Sequence, residues 1–580
     1  MSVAEASQKA PSRTGRGPSG WADAVLCALP AALLFAALWF SWRAPFVDDA
    51  YITYRYAVNW AAGLGPVYNP GEYVEGYSCF LWMALLALGS RLGLDPVTFA
   101  PQLNLAIGVL TLIALARLCF ELPAQRPRGI ALVVTLMTAL AAGTSFYAAS
   151  GMDTPLFALA MVLGVFAVAR AARGGNYLSA LPALALLELS RVEGFLYALV
   201  GAAVAVWLAR RADDRAARRS ALRLMGGVVL LTAIMLAVRH AVYGLWISTT
   251  VISKGYATHM LREALGGGGW PALKRFAWVL RKGVRYETPL LLMGAWIPLT
   301  LLAWRGRRAA PAALCAGAFA ALGIALGIWS GGDWMPHDRF LVMVLPMALV
   351  GLAWAAEGFA RPGPDRSDAS SRSRQVFVGV AIATLALSVW GWLFFRPLFL
   401  HPPDAVERAP EFQAQVGRLL GGVPPPVTLA TNTAGEIAYY AGPKVYVRDL
   451  LGLTDLHNAL HGPVWYVRFG RADYDYTFAR PLDVFQTNAW VDMEEFVRWC
   501  ESHPGAGERF RFMVTDDWLR ASFLVAADTT SAAARALERQ AGTRHLKVDR
   551  ASLESMREVF TRWRNQVSGR PLPVPARSGG

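Results

Sequence analysis

Charged side chains are scarce in this chain of 580 residues: they make up 17%, against 55% hydrophobic residues and a mean hydropathy of +0.35. A soluble domain carries about 25%, so a string of soluble globules, a disordered chain and a small secreted scaffold are all excluded. Cysteine is scarcer still. Cys27, Cys79, Cys119 and Cys315 stand in or at the ends of apolar segments and Cys500 stands alone in a polar region, which supports neither a disulfide framework nor a cysteine metal site. The apolar run from Trp21 to Trp42 lacks a small-residue cleavage signal and reads as a retained first span. Gly63-Leu64-Gly65 lacks the third glycine and following helix of a dinucleotide loop, and His457 and His461 lack the glutamate of a zinc-protease helix. Neither nucleotide nor zinc is expected.

What the chain does have is a series of apolar segments from Trp21 to about Leu400, many approaching the ~20 residues that a bilayer crossing needs. The net charge of +15 comes from arginines gathered in short loops between them, where they report orientation in a membrane rather than a nucleic-acid partner. Residues 1–20, with Lys9, Arg13 and Arg16 against Glu5, read as a cytoplasmic tail, and so do the loops 210–223, 305–308 and 361–374. The spans that these loops separate fall at about 222–240, 288–304, 309–329, 340–357 and 375–396, which leaves 241–287, Gly331 to Asp338 and everything beyond Arg396 outside. Between the outside loop near Asp48 and the inside loop at Arg210 the number of crossings must be odd. Six apolar segments occur there, at about 77–92, 101–120, 129–148, 153–170, 177–190 and 194–208. The preferred solution joins 177–208 into one span broken at Ser190-Arg191-Val192-Glu193-Gly194, where polar residues and a glycine imply irregular backbone lining a cavity. The alternative is that 77–92 does not cross.

The expected fold is a polytopic α-helical membrane protein with a C-terminal extracytoplasmic α/β domain. Its parts are the cytoplasmic tail 1–20, a membrane domain 21–396 of about eleven spans, the α/β domain 397–568 and a Pro/Gly/Ser-rich tail 569–580 that reads as disordered. The α/β expectation rests on β-prone runs at Val427 to Ala430, Lys444 to Arg448 and Phe510 to Val514, alternating with helical patterns such as Met493 to Ser502 and Ala532 to Gln540.

The most informative stretch follows the first span: Phe46-Val47-Asp48-Asp49-Ala50-Tyr51-Ile52-Thr53-Tyr54-Arg55-Tyr56-Ala57. Asp49 can cap a short helix ending near Gly63 and lying in the membrane interface, with Tyr51, Tyr54, Val58 and Ala61 along one face. Two adjacent carboxylates then sit at its amino end. Capping and solvation explain them as well as the sharper reading does, which is a general base kept ionised by the helix dipole and deprotonating a hydroxyl at the membrane surface. The pair could also hold a divalent ion, although hydroxyl activation needs only a base. The loop from Gly65 to Ser78 combines turn residues with aromatics and carboxylates, a composition suited to sugar contacts and equally to a plain loop.

These residues resemble a known family. Asp-Asp-Ala-Tyr-Ile-Thr-Tyr-Arg-Tyr-Ala from Asp48, followed by the Gly65 to Ser78 segment, is similar to the amino-terminal signature of bacterial GT-C glycosyltransferases related to the mycobacterial terminal β-(1→2)-arabinofuranosyltransferase. Ser150-Gly151-Met152-Asp153-Thr154-Pro155 resembles its S-G-x-E-T-P, with aspartate in place of glutamate, and Ser190 to Gly194 resembles its R-P-E-G, with Val192 in place of proline. Gly331 to Phe340 matches its G-G-D-W-M-P-x-x-R-F, and Asp449 to Asp455 its D-x-x-G-L-T-D. The resemblance covers about residues 45–460.

The resemblance implies an inverting GT-C enzyme of the bacterial cytoplasmic membrane. It would move one sugar, with a pentofuranose among the candidates, from a polyprenyl-phosphate donor to an extracytoplasmic glycan, lipid or protein acceptor. The base is Asp48 or Asp49, with Asp48 preferred and Asp49 as cap and acceptor ligand. The resemblance implies substrate contacts at Tyr51, Arg55, Tyr56, Glu75, Tyr77, Glu193, Asp333, Trp334 and His337. The outside loop 241–287 is cationic, and although most of its charges read as solvated or facing lipid phosphate, Lys254 is the first candidate to neutralise a leaving phosphate. Arg339, for which snorkelling is an equal explanation, and Arg191 are the others. Gly266 to Gly269 supplies a hinge for a lid. No cofactor is required. A transporter or a lipid-linked glycan flippase is the rival class, disfavoured because the polar motifs fall in outside loops and not at mid-membrane. A scaffold that has lost catalysis is the third.

Overall fold

The computed structural model describes residues 20–42, 47–124, 126–212, 214–286, 310–333, 335, 337–360, 409–465, 470–520, 522–540 and 542–568. The membrane part consists of α1 (Trp21–Ser41), α2 (Asp48–Ala61), α3 (Phe80–Arg91), α4 (Pro96–Cys119), α5 (Pro127–Leu140), α6 (Ala142–Ala149), α7 (Thr154–Gly174), α8 (Leu181–Ser190), α9 (Gly194–Arg211), α10 (Arg215–Tyr243), α11 (Thr249–Lys254), α12 (Tyr256–Glu263), α13 (Gly269–Tyr286), α14 (Pro311–Ser330) and α15 (Arg339–Ala360). Among the described residues, six helices are long and apolar enough to cross a membrane: α1, α4, α7, α9, α10 and α14. The pair α5 and α6 passes the same test as one span bent by 58°. The expected spans at 288–304 and 375–396 lie outside the described residues.

The parity problem resolves differently from the preferred reading. Residues 177–208 are not one broken span, because α8 and α9 fold back on each other: Gly201 of α9 lies against Leu184 of α8, and Gly194 against the Leu187 carbonyl. Glu188 and Thr232 of α10 share a hydrogen bond of 3.1 Å, and Asn176 and Ser220 one of 3.2 Å, so α8 runs alongside α10 in the same direction. The segment that does not cross is α3. Ser78, just before its start, lies 3.5 Å from Asp153 in the central cavity, and Asp95, just beyond its end, accepts from Tyr439 of the sheet domain. Both ends of α3 therefore face the sheet-domain side. Arg128 at the start of α5 pairs with Asp23 at the start of α1 at 2.7 Å, so this arginine lies on the opposite side, with the amino-terminal end of the first span.

The C-terminal part is α/β, as the residue pattern indicates. A six-stranded sheet runs in the order β2 (Val445–Asp449), β1 (Val427–Thr431), β5 (Val484–Thr487), β7 (Leu524–Asp528), β6 (Phe510–Val514), β8 (Arg544–Lys547), and a two-stranded ribbon pairs β3 (Val464–Trp465) with β4 (Gly470–Arg471). Strands β2, β1 and β5 are parallel and the other three antiparallel to their neighbours. β5 and β7 are buried along their whole length, as strands covered on both faces are.

The two parts meet on α2. Expected to lie in the membrane interface, this helix instead sits beneath the sheet domain, with Ile52, Tyr54, Arg55, Tyr56 and Ala57 buried. The Arg55 guanidinium donates to the carbonyls of Tyr68 (2.8 Å), Val445 (2.9 Å) and Ala438. Gly76 fits against the Leu453 carbonyl, where a Cβ would come within 2.8 Å. Such close backbone packing and charge-assisted bonding to buried carbonyls fixes register as well as contact.

Candidate active site

A cavity of about 250 Å³ opens where α2, α11, α14 and α15 converge on the α8–α9 turn. Asp49, Asp153, Arg191, Glu193, Lys254 and Arg339 all line it, together with Tyr77, Ser78 and the sheet domain's Leu453. Its remaining lining is largely apolar: Trp82, Tyr197, Leu326, Phe340, Met343 and Val344. Gly323 and Ser330 both border it on α14, seven residues apart, so at 1.5 Å per residue the cavity reaches about 10 Å along that helix towards the membrane interior.

The two aspartates at the start of α2 point to different places. Helix α2 begins at Asp48, and neither carboxylate makes a capping bond within it. Asp48, half-buried, accepts from the backbone N–H of Gly435 (2.9 Å) and Glu436 (2.8 Å). It therefore holds the first turn of α17 (Glu436–Ala441) in the sheet domain; the helices Ala409–Gly421 and Leu456–His461 are α16 and α18. Gly435 is needed for this approach, since a Cβ there would meet the Asp48 carbonyl oxygen at 1.9 Å. Burial pushes the Asp48 carboxyl up to about 7. Asp49 faces the cavity instead, with its Oδ2 3.2 Å from Lys254 Nζ and 3.9 Å from Arg339 Nη1. Burial pushes its carboxyl up, but the Lys254 and Arg339 charges more than offset this and hold it below the ordinary value. It is therefore ionised at neutral pH.

Local structure explains how the cations are placed. The Asp333 carboxylate accepts from the backbone N–H of Met335 (3.3 Å) and of Arg339 (3.2 Å), and lies 3.2 Å from Arg339 Nε, so the Gly-Gly-Asp segment is a cradle that aims Arg339. Lys254 ends the short helix α11. Thr249 Oγ1, at the start of that helix, shares its one O–H between the carbonyls of Glu75 (2.8 Å) and Leu453 (2.5 Å), and Ser253 Oγ donates to that of Gly452 (2.5 Å). The Gly452–Leu453 turn is in turn shaped by Asp449, whose carboxylate accepts from the N–H groups of Leu451, Leu453 and Thr454. Arg191 bridges Asp153 (2.7 Å) and Glu193 (2.6 Å) across the α8–α9 turn.

Of the residues singled out in the sequence, Asp49, Tyr77, Arg191, Glu193, Lys254 and Arg339 come together. The others serve elsewhere. Tyr51 packs with Tyr54, Tyr439 and Tyr440. Arg55 is spent on carbonyls, and the Tyr56 hydroxyl donates to the Val74 carbonyl and accepts from the Gly76 N–H. Glu75 pairs with Arg239 at 2.5 Å. Asp333 orients Arg339, and His337 packs against Trp42 and Phe146 in a left-handed backbone conformation. Trp334 lies outside the described residues. Asp153, conspicuous in its motif, belongs to the site set through Arg191, and Leu453 belongs to it through the Asp449 to Asp455 motif. Among the described residues no three His, Cys, Asp or Glu side chains are grouped to hold a metal ion, and two cations already face Asp49.

No family profile matches the sequence, and no curated protein matches it. Similarity appears in solved structures. The oligosaccharyltransferase of Archaeoglobus fulgidus in its apo form aligns with a TM-score of 0.50 at 12% identity, covering 84% of this chain and 73% of that one. ArnT from Cupriavidus metallidurans bound to undecaprenyl phosphate aligns with a TM-score of 0.47 at 15% identity, covering 89% and 99%. At these identities the likeness concerns the fold: this is a multi-pass membrane protein of the GT-C fold with a C-terminal sheet domain.

Proposed function

We propose that the protein is a membrane glycosyltransferase that moves a single sugar from a polyprenyl-phosphate donor to a glycan, lipid or protein acceptor on the sheet-domain side, in the bacterial cytoplasmic membrane with that side outward. The observation that supports this best is the grouping of one ionised carboxylate, Asp49, with Lys254 and Arg339 in a cavity whose apolar walls reach into the membrane.

The apolar walls suit the first units of a polyprenyl chain, and the two cations suit its phosphate. When a phosphate engages Lys254 and Arg339, Asp49 loses the charges that depress its carboxyl while staying buried, so its basicity rises as the donor binds. Asp49 then takes the proton of the acceptor hydroxyl. The freed oxygen attacks the anomeric carbon from the face opposite the phosphate, the C1–O bond to phosphate breaks, and its electron pair leaves on the phosphate oxygen towards Lys254 and Arg339. The configuration inverts. Arg191, clamped by two acids, acts by holding Asp153 and Glu193 at the sugar and not by binding phosphate. Asp48, of the two aspartates the one preferred as base from the sequence alone, is the tie to the sheet domain. The motif resemblance makes a pentofuranose the first sugar to try.

The test is transfer by purified protein in lipid nanodiscs, offered synthetic polyprenyl-phosphate pentofuranose and hexopyranose donors, with glycan mass spectrometry of cells with and without the protein to supply the acceptor. Release of polyprenyl phosphate coupled to acceptor glycosylation supports the reading. Turnover with none of the donors and unaltered cellular glycans would sink it.

A further inference from the structure

Helix α13 is not accounted for by the catalytic reading. Between Gly269 and Tyr286 it carries Lys274, Arg275, Arg281, Lys282 and Arg285 and no acidic residue. One face is used internally: Ala272, Val279 and Gly283 are buried, Gly283 against the backbone of Ile328 in α14, and Phe276 meets Trp329 edge to face. The opposite stripe is open and mixes two kinds of side chain. Trp270 is 64% exposed, Leu273 43%, Trp278 42% and Val284 42%, and at about 100° per residue these four fall within roughly 140° of one another around the helix. Lys274, Arg281 and Arg285 are exposed on the same stripe, and the Lys274 ammonium lies 5.6 Å from the Trp270 ring.

The level of this helix is fixed by its neighbours. It packs on the end of α14 that meets the cavity, and α11, two short helices earlier, is bonded to the sheet domain. Trp329, which meets Phe276 of this helix, is 40% exposed, and Trp246 and Ile247, just before α11, are exposed as well. Aromatic rings with interleaved cations at the end of a spanning helix belong at the headgroup boundary.

We infer that the open face of α13 is a docking surface for anionic phospholipid headgroups of the leaflet on the sheet-domain side. The charge complementarity is direct. Among the described residues of α12 and α13, Glu263 is the one acid, and it pairs with Arg275, which leaves the Lys274, Arg281 and Arg285 charges to face lipid phosphate while Trp270, Leu273, Trp278 and Val284 enter the acyl boundary.

The full-length protein in neutral detergent is titrated with dioctanoyl phosphatidylglycerol and with dioctanoyl phosphatidylcholine, and binding is read by native mass spectrometry. At least tenfold tighter binding of phosphatidylglycerol, weakening as salt rises, is expected. The combined variant Lys274→Gln, Arg281→Gln, Arg285→Gln should lose this preference while keeping its phosphatidylcholine affinity and its circular dichroism. Lys254→Met should keep the preference, which separates this surface from the catalytic cavity. Equal affinity for the two lipids in the wild type, an unchanged preference in the triple variant, or binding of chain-free glycerophosphoglycerol as tight as that of the lipid would each overturn the inference.

Discussion

Lys254 and Asp49 stand 205 residues apart in the chain, yet their side chains form an ion pair of 3.2 Å, 32% and 15% exposed, inside one cavity. In the proposed reaction the lysine changes partner, from this carboxylate to the leaving phosphate. Lys254→Met should then lower single-turnover transfer about a hundredfold, roughly 3 kcal/mol of transition-state stabilisation. Lys254→Arg should recover only part of it, because a planar fork does not replace a point charge. An unchanged rate in Lys254→Met at saturating donor would remove it from the phosphate site.

Arg191 and Asp153 are both buried, with side-chain exposures of 5% and 6%, so deleting one leaves an uncompensated charge. Arg191→Met should destabilise the protein by about 3–5 kcal/mol and abolish transfer. Arg191→Met with Asp153→Asn should regain much of the lost melting temperature but not the activity. Recovery of both would mean that the pair is purely structural.

Asp48 and Glu436 set a pH dependence. Burial pushes the Asp48 carboxyl up to about 7 and that of Glu436 up to about 9, the latter also raised by the Asp48 charge. Both exceed the unfolded carboxyl values near 4, so the folded chain binds more protons and the contribution to stability is complete below about pH 4. It is lost as pH rises through about 7 and then about 9. The melting temperature should therefore fall between pH 5 and pH 9, and Glu436→Gln should flatten the upper part of that slope. A variant with the wild-type slope would contradict this assignment.

Gly435→Ala should loosen the sheet domain from α2, since the added Cβ meets the Asp48 carbonyl oxygen at 1.9 Å. Faster proteolysis between the two parts and at least tenfold weaker transfer are expected. Gly505→Ala, whose Cβ would meet nothing within 4 Å, should change neither. Equal proteolysis of the two variants would count against the interface.

The sequence was most legible where a side chain's type and a local pattern suffice. Strands Val427–Thr431, Val445–Asp449 and Phe510–Val514 stand within a residue of their β-prone runs. Lys254 and Arg339 stand out as candidates in the sequence because each is a charge beside an apolar segment. Long-range pairing was not legible. Nothing local distinguishes Asp48, whose oxygens meet N–H groups 387 and 388 residues away, from Asp49. Arg55 and Glu75 have the composition of ligands, yet carbonyls and Arg239 take them up. The crossing parity was similarly ambiguous, because α3, at 12 residues, is as apolar as a span but turns back on the side it left.

Asp49 is the proposed base. The most direct measurement compares Asp49→Asn with Asp48→Asn in single-turnover transfer from a saturating polyprenyl-phosphate sugar in nanodiscs, with donor affinity measured alongside. Asp49→Asn should abolish transfer while the donor still binds, because the amide cannot accept a proton, and Asp48→Asn should keep measurable turnover. Wild-type transfer by Asp49→Asn, or loss confined to Asp48→Asn, would contradict that role for Asp49.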